Sequence, residues 1–113
     1  MMMVINPKRY DIYIAELNPT IGSELNKKRP VVIISLNAMN TFLETVVVCP
    51  LTTKIHPKWR SRIQIICAGQ EAEIVVDQIR TISKLRLYKK IDSLSIQKAQ
   101  ELRQIIHEMY AAA

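Results

Sequence analysis

Glycine is almost absent from this chain, with two in 113 residues, Gly22 and Gly69. Phosphate-cradling loops and dinucleotide-binding turns need several glycines for the backbone to approach a phosphate, so both are excluded. Cysteine is equally scarce. Cys49 and Cys67 sit inside apolar runs and are expected as buried thiols, not as a disulfide. Together with His56 and His107 they make no CxxC or HxxxH spacing, so neither a metal site nor a cofactor is expected. No serine occupies a GxSxG-type turn. No apolar run approaches the roughly 18 residues of a membrane span. The start, Met1-Met2-Met3-Val4-Ile5-Asn6-Pro7-Lys8, is too short for a secretory signal, and the expected location is the cytoplasm. Repeats, low-complexity tracts and linkers are lacking too.

What is present is an ordinary globular balance, 49% apolar and 23% charged, in a length that suits one domain over residues 1–113. The net charge is +6. It is unevenly spread: residues 1–66 carry nine basic and four acidic side chains, residues 67–113 seven and six. A polyanionic partner would meet its field in the first half.

The first two-thirds reads as short strands. Asp11–Leu17 alternates, Ile12 and Ile14 on one face, Tyr13, Ala15 and Leu17 on the other. Pro30–Ser35 and Thr45–Pro50 are β-branched runs of strand length. Ser61–Ile66, Glu73–Gln78 and Arg80–Ser83 follow. Five or six strands without crossover helices predict an antiparallel sheet or small barrel. From Ile96 the period changes: Ala99, Leu102, Ile105, Ile106 and Met109 share a helical face, and Ser95 is placed to cap it. The predicted fold is mostly β, a small antiparallel barrel with a C-terminal helix that packs on the sheet.

Two loops stand out. Asn18–Lys28 is longer than most strand connections and holds Gly22, Ser23 and Glu24. Lys54–Arg60 carries Lys54, His56, Lys58, Trp59 and Arg60, a set on which single-stranded nucleic acid could stack and pair its phosphates. A solvated loop with its tryptophan over the core edge fits that pattern equally well. Taken singly, Arg29 reads as a strand-end cation, Thr52 and Thr53 as turn hydroxyls, and Glu24 as an exposed carboxylate.

Five segments in order change that weighting. They are Arg9-Tyr10-Asp11-Ile12-Tyr13, Asn18-Pro19-Thr20-Ile21-Gly22-Ser23-Glu24, Lys28-Arg29-Pro30-Val31-Val32-Ile33, Val48-Cys49-Pro50-Leu51-Thr52-Thr53 and Asp77-Gln78-Ile79-Arg80-Thr81-Ile82. In this order and spacing they resemble the MazF/PemK (Kid) toxins, endoribonucleases of bacterial type II toxin–antitoxin pairs, over about residues 9–110. Two departures are Tyr10, where the family usually has glycine, and Trp59-Arg60-Ser61-Arg62, where members vary.

The resemblance implies an SH3-like, plasmid-maintenance-toxin barrel (the CcdB-like fold) that works as a homodimer. It implies metal-independent, sequence-selective cleavage of single-stranded mRNA by the ribose 2′-hydroxyl, leaving a 2′,3′-cyclic phosphate and a 5′-hydroxyl. By motif, Arg29 and Thr52 match the catalytic arginine and threonine, and Glu24 the glutamate of the GSE segment. An arginine suits charge stabilisation and, with its pKa above about 12, not proton abstraction. Arg29 and Thr52 are therefore expected to stabilise the phosphorane, with Arg29 a candidate to pass a proton to the leaving oxygen, and Glu24 to act as base with His56 as rival. Ser23, Lys28, Thr53, Lys54, His56, Lys58, Trp59, Arg60 and Gln78 are the expected RNA contacts. An antitoxin with a flexible acidic tail is the implied partner, and DNA is met only through that complex. The competing readings are a gyrase-binding toxin of the same fold and a non-catalytic RNA-binding barrel.

Overall fold

The structure, a computed structural model, describes residues 6–25 and 27–111; the apolar start at 1–5 and the last two alanines lie outside them. Seven strands and two helices follow one another: β1 (Asp11–Glu16), β2 (Lys28–Ile33), α1 (Asn37–Phe42), β3 (Thr45–Thr52), β4 (Arg62–Cys67), β5 (Gln70–Val75), β6 (Arg80–Ser83), β7 (Leu87–Ser93) and α2 (Ile96–Tyr110). Every strand pairing is antiparallel. The strand order is β4-β5-β3-β2-β1-β7, with β6 also on β3.

The alternation in β1 serves two cores. Ile12 joins Val32, Cys49, Leu51, Ile74 and Leu102 on one side of the sheet. Tyr13, Ala15 and Leu17 join Val31, Ile33, Val46 and Val48 on the other. With both faces covered, β2 and β3 need apolar residues at every position, which is why they read as unbroken β-branched runs. β3 is the pivot. One of its edges pairs with β2, and the other pairs first with β6 and then with β5. The sheet thereby curls into a half-barrel. Its ends β4 and β7 are tied by a side chain, the Ala68 backbone N–H donating to Asp92 Oδ2 at 2.8 Å.

Three expectations need correction. The strand expected over Glu73–Gln78 starts earlier, at Gln70, and ends at Val75, with Val76–Gln78 forming a single 3-10 turn. β7 and α1 were not foreseen: β7 lies at the sheet's edge with little buried, and in α1 only Asn40 is buried, so neither shows an apolar period. The α2 face is narrower than its sequence suggests. Ser95 Oγ caps the helix by accepting from Lys98 N at 3.2 Å, and Ala99 and Leu102 are buried, but Ile96 is 81% exposed and Met109 is also exposed. His107 is exposed, and its carbonyl accepts from Ala111 N. No helix among the described residues is long and apolar enough to cross a membrane.

Candidate active site

The paired residues Ile33↔Val48, Val32↔Cys49 and Val31↔Pro50 set the register of β2 against β3. Continued two residues further, that register sets Arg29 across from Thr52. Strand alternation then turns both side chains to the same face. Arg29 and Thr52 also both line an open cleft of about 420 Å3, together with Lys28 and Thr53. Pro30 ties this geometry to the sequence: lacking an N–H, it confines the preceding Arg29 to extended backbone at the strand's beginning. Thr52 is nearly buried, and its Oγ1 accepts from Lys54 N at 3.2 Å. That bond occupies a lone pair and leaves the hydroxyl proton to donate. Lys28 holds its ammonium 4.2 Å from the centroid of the Tyr88 ring.

On its other side Thr52 pairs with Glu73 of β5. Glu73 is wholly buried. Its carboxylate accepts from His56 N at 2.8 Å, Gln64 Nε2 at 2.5 Å and Arg62 Nη1 at 3.1 Å. Burial pushes its pKa up, but the bonds from His56, Gln64 and Arg62 and the guanidinium's charge outweigh it and hold the carboxyl below its ordinary value. In the sequence Glu73 stands only as the first residue of an expected strand. Its signal was an acid inside the apolar Ala72–Val76 segment, matched on the neighbouring strand by Arg62 and Gln64 at alternate positions.

The long loop is tied down from below. Gln78 Oε1 accepts from Leu25 N at 2.8 Å, and Asn18 Oδ1 from Lys27 N at 3.3 Å. Arg86 donates to the carbonyls of Glu16 and Asn18. Glu24 is exposed and closes its own turn around Gly22 (φ 63°), its carboxylate accepting from Ile21 N at 2.8 Å. Neither Ser23 nor Glu24 lines the cleft, and Gln78 spends its carbonyl on the loop backbone.

The second loop is internally stacked. The His56 and Trp59 rings lie 4.0 Å apart and nearly parallel, and the Arg62 guanidinium stands 4.7 Å from the Trp59 centroid. Trp59 nevertheless stays half exposed. A base stacking on the face that His56 covers would first have to displace that ring. Arg60 pairs with Glu108 of α2 at 2.8 Å, while Lys54 and Lys58 are exposed. None of these loop residues lines the cleft. Among the described residues no group of three or more His, Cys, Asp or Glu side chains could hold a metal ion. Both cysteines are free, and burial pushes the Cys49 thiol up to about 12.

Residues 8–110 match the family described as PemK-like, MazF-like toxin of type II toxin–antitoxin system. The chain belongs to this toxin family. A relative, Endoribonuclease MazF of Staphylococcus saprophyticus, is 36% identical over 104 residues, covering 88% of this chain and 87% of the relative. The fold of MazF from Deinococcus radiodurans superposes with a TM-score of 0.85 at 16% identity, over 96% of this chain and 100% of that one. A MazE–MazF structure from the same organism gives 0.80 at 15% identity, over 96% and 100%. The half-barrel with its C-terminal helix is thus the family's architecture, as the sequence implied.

Proposed function

We propose that this family member is an endoribonuclease that cuts single-stranded RNA at the Arg29–Thr52 pair. The observation that carries the reading is that both side chains, on neighbouring strands, line one cleft, in a chain 36% identical to an endoribonuclease. The ribose 2′-oxygen attacks phosphorus as its proton leaves. The P–O5′ bond then breaks, and the 5′-oxygen takes up a proton, giving a 2′,3′-cyclic phosphate and a 5′-hydroxyl. Arg29 offers a planar fork to the two non-bridging phosphate oxygens, and the Thr52 hydroxyl donates a hydrogen bond to one of them. Both contacts strengthen as charge builds on the phosphorane, which is where an enzyme gains rate.

Glu24 is the carboxylate proposed to take the 2′-proton. It must first leave its bond to Ile21 N, so RNA binding and movement of the 18–27 loop are coupled in this scheme. Lys28 and Thr53 flank the scissile phosphate, and Lys54 and Lys58 follow the strand beyond it. The scheme gives no role to a metal. It works in the cytoplasm on mRNA, as a homodimer. Its inhibitor is an antitoxin whose acidic tail covers the basic first half; the Deinococcus relative solved with MazE supports such a partner.

The test is to incubate the purified chain with RNA in excess EDTA and examine the product ends. Cyclic phosphate ends support the proposal. Intact RNA together with gyrase inhibition would favour a gyrase-binding toxin, and binding without cleavage a plain RNA-binding barrel.

A further inference from the structure

Glu73 is a carboxylate with no exposed surface, held by three donors from two different segments. Burying a charge costs several kcal/mol even when it is well partnered, and apolar side chains of similar volume often serve stability as well. Stability alone therefore gives little reason for this cluster. Its cost is visible in Arg62, whose buried Nε finds no partner. The connectivity supplies a reason. His56 N–H belongs to the loop that leaves Thr52, and Arg62 is where the loop rejoins the sheet. One carboxylate thus ties residues 53–61 both within the loop, at His56, and at its return to the sheet, at Arg62. The Arg62 guanidinium it holds lies against Trp59, and Trp59 stacks on His56, which closes the circuit.

We infer that Glu73 is a positioning residue, fixing the 53–61 loop as a preformed cationic rim beside Thr52 that receives the phosphates flanking the cleaved bond. The inference rests on the nuclease reading above. Pre-ordering the loop means that RNA does not have to pay its conformational entropy on binding. Lys54 and Lys58 gain from this without touching the reacting phosphate. The clamp therefore acts on substrate affinity, whereas Arg29 and Thr52 act on turnover.

The experiment compares kcat and KM for RNA cleavage, and Kd for a 2′-deoxy substrate that cannot be cut, across a range of salt. For Glu73→Gln, KM and Kd are expected to rise about tenfold with a shallower salt dependence, as when one or two phosphate contacts are lost. The kcat at saturation should stay within about threefold of the parent. Glu73→Gln/Gln64→Glu returns a carboxylate to the same cluster and should restore most of the affinity. Gln64→Met, which removes one donor and strands no buried cation, provides a gentler variant if the first folds poorly; its KM should rise about threefold. Hydrogen exchange at His56 N–H reads the clamp independently of activity and should quicken in every weakened variant. Loss of kcat at unchanged KM, or unchanged exchange at His56, would overturn the inference. If the wild-type chain leaves RNA intact while exchange at His56 still responds to Glu73, the nuclease reading fails and the clamp does not.

Discussion

Two residues beyond Val31↔Pro50, the β2–β3 register sets Arg29 across from Thr52, and both border one cleft. The ladder brings a cation from the beginning of one strand to a hydroxyl at the end of the next. Nothing in the intervening chain has to be conformationally special for them to meet. Antiparallel pairing and alternation suffice.

The first prediction follows from that pairing. Arg29→Ala should lower kcat by about two to three orders of magnitude, the usual cost of removing one donor to a developing oxyanion. Arg29→Lys should recover little of it, since an ammonium cannot replace a bidentate fork. Thr52→Val, near-isosteric, should also depress kcat and leave KM almost unchanged. Steady-state kinetics on a short RNA measure all three.

Glu24 and Gln78 separate base from scaffold. Glu24→Gln keeps an acceptor for Ile21 N but removes the proton-accepting charge, so kcat should fall by about 100-fold. Wild-type turnover in that variant would remove Glu24 from the chemistry. Gln78→Ala deprives Leu25 N of its acceptor. It should raise KM several-fold and quicken hydrogen exchange in the loop, with little change in Tm.

The β4–β5 turn offers a stability prediction. Cys67 pairs with Gln70 around Ala68 (φ 49°) and Gly69 (φ 81°), both in the left-handed region that a tight two-residue hairpin demands. Asparagine tolerates that region better than alanine, so Ala68→Asn should stabilise by about 0.5 kcal/mol while keeping the N–H that Asp92 binds. Gly69→Ala meets no atom within 4 Å, so its cost is that of the backbone alone, about 1 kcal/mol. Urea unfolding of the two variants should shift in opposite directions.

Acid should destabilise the fold through Glu73 and Asp92. Burial raises the Glu73 pKa, but its hydrogen bonds and Arg62 outweigh it; Asp92 is held low first by the N–H groups of Ala68 and Ser93. A carboxyl with a lower pKa folded than unfolded contributes its stability above the ordinary carboxylate range. That contribution is lost as pH falls through the folded values. The Tm should therefore decline below about pH 4.5, near the unfolded carboxyl values. Asp92→Asn should flatten part of that decline and lower the plateau at neutral pH.

Tyr10 shows how much a sequence departure can carry. Its φ is 72°, in the left-handed region. A left-handed backbone is what the glycine expected there from the family resemblance would supply without steric cost. Here the strained tyrosine is held instead by neighbours: its N–H donates to Ile33 O at 2.6 Å, Arg103 donates to its hydroxyl at 2.9 Å, and Arg9 lies over its ring. β1, β2, β3 and α2 were legible because each buries a periodic or continuous apolar set. β7 and α1 were not, because each buries too little for any pattern to form. Trp59 was legible as an aromatic among cations; that its ring would stack on His56 and lie against Arg62 was not.

Local order alone determined the strands of the first two-thirds, the capped C-terminal helix, the basic first half and the five ordered segments that mark the family. These are properties of neighbouring residues, set by steric preference, burial period and charge. Only the tertiary structure decided that Glu73 would be the centre of a buried clamp, that Glu24 would close its own turn away from the cleft, and which face of the sheet Arg29 and Thr52 share. Those depend on register between strands distant in sequence, and in a pleated sheet a shift of one residue sends every side chain to the other face.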